Sequence, residues 1–163
     1  AAYARLGDVL DALEINVPEG AVCMPRQEEI DGVSYTLSEN RMGMTGFTFD
    51  FHGSAGVLTY RTTRGERRFP FCMGRYADTH FPETHYFGHR IRKPKGASYR
   101  CLNCAVWEDE NTLLVRTYVI DDYFGNMAAR FVFDGDSVSL SMTKTAEWFL
   151  DEYVGEAVGH RDN

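Results

Sequence analysis

The chain has 163 residues, with 17 Lys and Arg against 24 Asp and Glu, which gives a formal net charge of −7. Hydrophobic residues make up 44% and aromatic residues 13% of the sequence, enough for one packed domain. The acidic balance argues against a nucleic-acid partner, which needs clustered Lys and Arg, and the sequence has no apolar run long enough to span a membrane.

The N-terminal part of the chain predicts a helix and a linker. Apolar residues recur at spacings of three and four over residues 3–14, which is typical of an amphipathic helix. Pro18 and Gly20 follow and end this pattern. Residues 16–32 are therefore predicted to form a connecting loop.

From residue 33 the pattern changes to a period of two, which indicates strands. Phe47, Phe49 and Phe51 alternate with polar residues, so we expect their rings on one face of a sheet. About eight such segments follow, and most are joined by short turns, such as the one around Gly135. Short strands with no helix between them favour a mainly β fold, with antiparallel strands in a barrel or a sandwich.

The end of the chain changes pattern again. Trp148, Phe149 and Tyr153 have helical spacing within 145–154, which predicts a second short helix. The sequence thus predicts a single domain over 1–163. Its expected parts are an N-terminal helix and linker at 1–32, barrel strands at 33–143, and a C-terminal helix and tail at 144–163.

Ser141 and Lys144 match the S-x-x-K pattern of penicillin-binding serine hydrolases. That chemistry places the serine at the start of a helix, so that the lysine one turn later lies beside its hydroxyl. Here the serine lies in an alternating segment, and residues three apart in a strand point to opposite faces. The sequence has no other catalytic constellation, and we predict that this chain is not an enzyme and uses no cofactor.

Cys101 and Cys104 form a lone C-x-x-C pair, which is weak evidence for a metal site. The strand pattern around them places the two thiols on opposite faces, so we predict no metal ligands here. A metal-dependent site built from the His and Cys residues of 80–104 stays open as an alternative. Three of the four cysteines lie in apolar or strand-like stretches, which favours reduced, structural thiols and a cytoplasmic location.

Residues 74–98 are irregular and carry three of the five histidines. Loops rich in His, Arg and aromatic residues are common at binding sites and interfaces. The alternative is that the rings pack on the barrel as a plug. The candidates for a ligand site or a domain interface are His80, His85, Tyr86, Phe87, His89 and Arg90.

A set of aromatic, glycine and turn strings between residues 47 and 153 has a counterpart in a known family: Phe49-Asp50-Phe51, Gly56-Val57-Leu58-Thr59-Tyr60, Gly65-Glu66, Phe69-Pro70-Phe71-Cys72-Met73-Gly74, Ile120-Asp121-Asp122-Tyr123-Phe124-Gly125-Asn126, Phe131 to Asp136, and Ala146-Glu147-Trp148-Phe149-Leu150-Asp151-Glu152-Tyr153. These strings resemble the C-terminal domain of bacterial serine hydrolases of the β-lactamase and penicillin-binding superfamily. The resemblance implies a lipocalin-like β-barrel behind a hydrolase domain in the same polypeptide. It also implies that the catalytic residues belong to that preceding domain.

Three functions follow from these observations. The first is a non-catalytic accessory domain that packs against a β-lactamase-like serine hydrolase domain or modulates it; the full-length parent would then be a serine hydrolase. The second is a lipocalin-like barrel that binds a small ligand, and the third is the metal-dependent site. The many large aromatic residues are expected to fill the interior more readily than to leave it open. A dry, filled barrel would rule out the small ligand, whereas a lined cavity of several hundred Å³ would favour it. The predicted location is cytoplasmic, or extracytoplasmic if a signal lies upstream.

Overall fold

The computed structural model describes residues 5, 15–86, 94–121, 124–146 and 150–162. The predicted helix over 3–14 therefore lies outside the described residues, apart from residue 5. Among the described residues, no helix is both long enough and apolar enough to cross a lipid bilayer.

The structure is mainly β, as the sequence predicts. The described residues form a short α-helix, α1 (Pro25–Ile30), and a 3-10 helix (Asp151–Tyr153). The described strands are ten in number: β1 (Ser34–Leu37), β2 (Met44–His52), β3 (Ala55–Thr62), β4 (Gly65–Met73), β5 (Ala77–His80), β6 (Arg100–Trp107), β7 (Thr112–Ile120), β8 (Phe124–Asp134), β9 (Ser137–Thr145) and β10 (Gly155–Arg161).

Nine of these strands form a closed ring in the order β4-β3-β2-β1-β10-β9-β8-β7-β6. All neighbours in this order are antiparallel. The ring closes where β4 pairs with β6 in parallel, through Cys72 opposite Cys104 and Met73 opposite Ala105. Strand β5 pairs with the first half of β6 and is the extra strand. Closure leaves the sheet with few free edges, which removes the usual template for aggregation.

The period of two decides which side chains enter the barrel. Phe47, Phe49 and Phe51 of β2 are all buried in the interior, as predicted. The ring of Phe131 on β8 meets Phe47 at 4.8 Å and Phe49 at 4.9 Å, both edge-on, which is a favourable arrangement for aromatic rings. The predicted turn around Gly135 is also confirmed, because this glycine has φ 56° and joins β8 to β9.

Helix α1 packs at one end of the barrel. Pro25 begins it, where a missing N–H costs nothing, and Ile30 is buried against the interior cluster. The indole N–H of Trp107, at the end of β6, donates to Gln27 over 3.4 Å. The other end of β6 meets the residues that follow β5, where the Phe81 amide donates to the Tyr99 carbonyl. The two ends of the barrel are thus closed by different segments.

Several predicted boundaries are wrong. The loop predicted at 16–32 contains α1, and the irregular stretch 74–98 contains β5, whose four residues have no apolar alternation. Of the helix predicted over 145–154, residues 147–149 lie outside the described residues, and the rest contains the 3-10 turn. Leu150 before that turn adopts a left-handed conformation at φ 66°, which a right-handed helix does not allow. The tail predicted within 144–163 contains β10, in which the small residues Ala157 and Gly159 face the barrel and give little apolar signal.

Candidate functional site

The barrel interior holds an apolar cavity of about 20 Å³, roughly the space of one water molecule. Within the described part of the chain, none of the twelve residues that line it carries a charge. Three of them are methionines, Met44, Met127 and Met142, and two are tyrosines, Tyr60 and Tyr153. The prediction that large aromatic residues fill the interior is thus confirmed.

A buried carboxylate lies at the end of the barrel near Tyr60 and Tyr153. Glu83 follows β5, and its side chain is only 2% exposed. Arg67 Nε lies 3.2 Å from Glu83 Oε2, and Arg64 Nη2 lies 3.7 Å from Oε1. The Tyr153 hydroxyl donates to Oε1 over 3.3 Å. Two cations and one hydroxyl therefore compensate the cost of burying this charge.

A second carboxylate, that of Glu152 in the 3-10 helix, completes this group. Arg64 Nη2 donates to Glu152 Oε1 over 3.2 Å. His85 lies between the two carboxylates, with Nε2 2.8 Å from Glu152 Oε1 and Nδ1 3.3 Å from Glu83 Oε2. We call these five side chains the Glu83 cluster: Glu83, Glu152, Arg64, Arg67 and His85. Its two carboxylates balance its two guanidinium groups without any contribution from the imidazole.

The hydroxyls of Tyr60 and Tyr153 connect the cavity to the Glu83 cluster. They lie 2.8 Å apart, and because Tyr153 donates to Glu83, Tyr60 donates to Tyr153. Burial raises the pKa of both hydroxyls, so both keep their protons at neutral pH. Burial lowers the pKa of Arg64, but the charges of Glu83 and Glu152 outweigh it and hold that pKa above its ordinary value.

Two uncharged polar atoms inside the barrel have no hydrogen-bond partner among the described residues. They are Oδ1 of Asn103 on β6 and Oγ1 of Thr117 on β7, and both residues are fully buried. The two residues lie directly opposite each other, and Thr117 is also opposite the cavity-lining Met127. The Asn103 amide N–H donates to the Pro70 carbonyl over 2.8 Å, which fixes the orientation of the amide.

The structure separates the predicted site residues. His85 and Tyr86 lie together at the Glu83 cluster, with ring centroids 4.1 Å apart, whereas His80 is exposed on β5. The Tyr86 ring and the neighbouring Phe81 are buried against the barrel, as expected for a plug. The remaining candidates, Phe87, His89 and Arg90, lie outside the described residues, and their role stays a prediction.

The two motifs discounted in the sequence have the geometry that was predicted. Ser141 and Lys144 lie on β9 and, three residues apart in a strand, point to opposite faces. Cys101 belongs to the interior cluster, whereas Cys104 belongs to a second cluster on the outer face with Val106. The two thiols do not converge, and no group of three possible metal ligands is found among the described residues.

The sequence analysis missed Glu83, Arg64 and Arg67. The usable signal was Glu83, an acidic residue two positions after Phe81 in a segment rich in aromatic residues. A carboxylate that is buried among such rings needs cations beside it. Nothing local in the sequence shows that those cations come from the turn between β3 and β4 and from the first residues of β4.

All four thiols are free, and only that of Cys23 is exposed. Burial raises the pKa of Cys101 to about 12 and that of Cys104 to about 11, which leaves almost no thiolate at neutral pH. We therefore expect Ellman's reagent at about pH 8 to modify Cys23 rapidly and the three buried thiols only after denaturation. A Cys23→Ser variant should show no rapid phase. Rapid modification of two or more thiols in the native protein would contradict this expectation.

A wider depression of about 450 Å³ lies on the outer face of β8, β9 and β10, between Val132, Ser141 and Val158. It is a shallow surface open to solvent, whereas small-molecule sites enclose most of their ligand. The interior and the Glu83 cluster are therefore the better candidate site.

No protein-family model matches this sequence, and no curated protein matches it. Solved structures do match. Lipid binding protein 8 of Caenorhabditis elegans superposes with a TM-score of 0.55 at 8% identity, covering 85% of this chain and 99% of that one. The fold is a lipocalin-like barrel.

Two further structures give the same result. Fatty-acid-binding protein 1 of Echinococcus granulosus has a TM-score of 0.55 at 12% identity, covering 83% of this chain and 99% of that one. The Schistosoma mansoni fatty-acid-binding protein, in complex with arachidonic acid, has a TM-score of 0.54 at 13% identity, with coverage of 84% and 98%. Such low identities establish the fold alone.

These matches correct the resemblance drawn from the sequence. The similar structures are lipid-binding and fatty-acid-binding proteins and not domains of β-lactamase-like serine hydrolases. The interpretation as an accessory domain of a β-lactamase-like hydrolase is therefore wrong, and the comparisons give no support to a preceding hydrolase domain as a partner. The strings that suggested it are packing and turn residues, which any antiparallel barrel needs.

Proposed function

We propose that this protein binds a small lipophilic ligand inside its barrel. A closed antiparallel barrel surrounds an uncharged, apolar interior, and this is the observation that carries the proposal. The cavity left in it is only about 20 Å³, so the filled interior of this structure meets the criterion against such a ligand, and the proposal requires the interior to open. The similarity of the fold to lipid-binding barrels supports it. The free, mostly buried thiols suit a reducing compartment, while a cytoplasmic location and the absence of enzyme activity stay predictions.

The interior must rearrange to accept such a ligand. Ligand sites usually enclose several hundred Å³, far more than the cavity provides. Methionine side chains are flexible and adapt to new shapes at low cost. Three of them line the cavity and can move to enlarge it: Met44, Met127 and Met142. The residues at 81–86 close one end with Phe81 and Tyr86 and are the segment whose displacement opens the interior.

The test is a titration with N-phenyl-1-naphthylamine, an uncharged fluorophore that brightens in apolar surroundings. We expect saturable binding to the wild-type protein. The Ala129→Leu variant fills part of the cavity from β8 and should bind about tenfold more weakly. Ser139→Leu adds the same side chain on the exposed face of the adjacent strand β9 and should bind as the wild type does. Non-saturable binding, or equal binding by both variants, would contradict the proposal.

A further inference from the structure

We infer that the interior selects an uncharged lipophile with a hydroxyl head group and discriminates against carboxylates. This inference rests on the proposed function and names the chemical class of its ligand. Two independent features carry it: the neutralised Glu83 cluster, and the unpaired polar atoms of Asn103 and Thr117.

The first feature excludes anions. A carboxylate inside a barrel needs a cation, because leaving it unpaired in apolar surroundings is costly. Among the described residues, the two guanidinium groups at the cavity end are already engaged: Arg67 by Glu83, and Arg64 by Glu83 and Glu152. Lys144 of β9, near the 3-10 helix, pairs with Asp151. A ligand carboxylate would have to displace Glu83 and leave that carboxylate buried without its partners.

The second feature selects a hydroxyl. Asn103 Oδ1 only accepts hydrogen bonds, whereas the Thr117 hydroxyl both donates and accepts. A ligand hydroxyl can donate to Asn103 Oδ1 and accept from Thr117, so it satisfies both buried atoms at once. An ionised carboxylate and an ether oxygen only accept, and each leaves Asn103 Oδ1 unpaired.

The position of this pair fits a head group at the edge of the cavity. Residues directly opposite each other on neighbouring strands lie on the same face of the sheet, with Cβ atoms about 5 Å apart. Thr117 is opposite both Asn103 and Met127, and Met127 lines the cavity. Val115, two residues along β7 from Thr117, lines it as well. Asn103 and Thr117 lie just beyond the residues that line the present cavity, so a ligand that widens it past Val115 and Met127 would place its head group beside them.

Displacement of bound N-phenyl-1-naphthylamine tests this inference with three ligands that share one alkyl chain: 1-dodecanol, dodecyl methyl ether and dodecanoate, at about pH 8, where the acid is ionised. We expect the alcohol to compete at about tenfold lower concentration than either other ligand. Equal competition by the alcohol and the ether would mean that the pair holds water only, and stronger competition by dodecanoate would mean that the site is built for anions. Either result overturns the inference while leaving the proposed function intact. Failure of the fluorophore itself to bind would overturn both.

A substitution in one member of the Asn103–Thr117 pair provides a second test of this inference. Thr117→Val replaces the unpaired hydroxyl by a methyl group of the same shape, and should raise the melting temperature because no buried hydroxyl is left unsatisfied. The same variant should lose most of the preference for dodecanol over the ether. Thr143→Val, on the exposed face of β9, should keep that preference. An unchanged preference in Thr117→Val would overturn the assignment of the head group to this pair.

The anion exclusion has its own variant. Glu83→Gln removes the buried charge and leaves Arg67 available, so the ratio of dodecanoate to dodecanol affinity should rise about tenfold. Glu156→Gln makes the same change in net charge on the outer face of β10 and should leave the ratio at its wild-type value. A ratio that does not change in Glu83→Gln would show that this carboxylate is not what excludes anions.

Discussion

Raising the pH from about 8 to about 11 is expected to unfold the protein, because buried acidic groups cannot release their protons while the barrel is intact. Burial raises the pKa of Cys101 from 9.0 to about 12 and that of Cys104 from 9.0 to about 11. It also raises the pKa values of Tyr60, Tyr86 and Tyr153 above their ordinary value of 10.0. Five groups therefore favour the folded state only while they are protonated.

The sign of the effect follows from proton binding. Above about pH 9 the unfolded chain loses these protons and the folded chain keeps them, so the free energy of unfolding falls as the pH rises through this window. Each group contributes about 1.4 kcal/mol per pH unit between its two pKa values. At about pH 11 the summed loss from the five groups approaches the whole free energy of unfolding of a typical domain, which is about 5–15 kcal/mol.

Guanidinium unfolding midpoints at a series of pH values measure this loss, and absorbance at the tyrosinate band should rise together with unfolding. Cys101→Ala removes one of the groups and should flatten the decline, whereas Cys23→Ser changes an exposed thiol and should not. A native protein at about pH 11, with the same midpoint as at about pH 8, would show that these groups titrate freely in the fold.

Phe131→Ala is expected to destabilise the protein strongly, at a cost of about 3–5 kcal/mol in the free energy of unfolding. The Phe131 ring is 2% exposed and packs edge-on against Phe47 and Phe49 from the opposite side of the interior. Removal of the phenyl group leaves a cavity between strands β2 and β8. These strands are held apart by their pairing in the closed barrel, so they cannot move together to fill the cavity.

Val132→Ala is the matched control, because Val132 is the next residue on β8, faces outward and is 42% exposed. It should cost less than about 1 kcal/mol in urea unfolding. A loss of less than about 1 kcal/mol in Phe131→Ala would show that the interior relaxes around the missing ring, and that it is much softer than its packing indicates.

Those parts of the fold that depend on a local repeat were predictable from the sequence. The three rings of β2, the alternation around Ser141 and the opposite placement of Cys101 and Cys104 all follow from the period of two. Strand β10 could not be predicted from this pattern, because its inward residues are Ala157 and Gly159. Residue 159 has no room for a side chain, since an added Cβ there would lie 2.6 Å from the Thr36 carbonyl oxygen. That strand exists because β1 and β9 both offer it partners, and not because of its own pattern.

The candidate site was predictable only in part. His85 and Tyr86 were identified because histidine and aromatic residues are conspicuous in a loop. Glu83 was missed because its burial depends on cations from residues 64 and 67 and on a hydroxyl from residue 153. Such a site is assembled by tertiary structure, and a single sequence contains no local signal for it. The unpaired atoms of Asn103 and Thr117 are likewise visible only once strand register is known.

The strand that completes the ring is the last of the ten to be synthesised. Strand β10 lies between β9 and β1, and pairs Arg161 with Tyr35, which precedes it by more than a hundred residues. Until β10 leaves the ribosome, β1 and β9 both present unpaired backbone groups beside an open, aromatic interior. Closing so long a loop is slow, since the entropy of closure is lost before the pairing stabilises it. Until then the nascent chain exposes an open sheet with an apolar interior, and its demand for chaperones during translation should depend on the seven residues of β10.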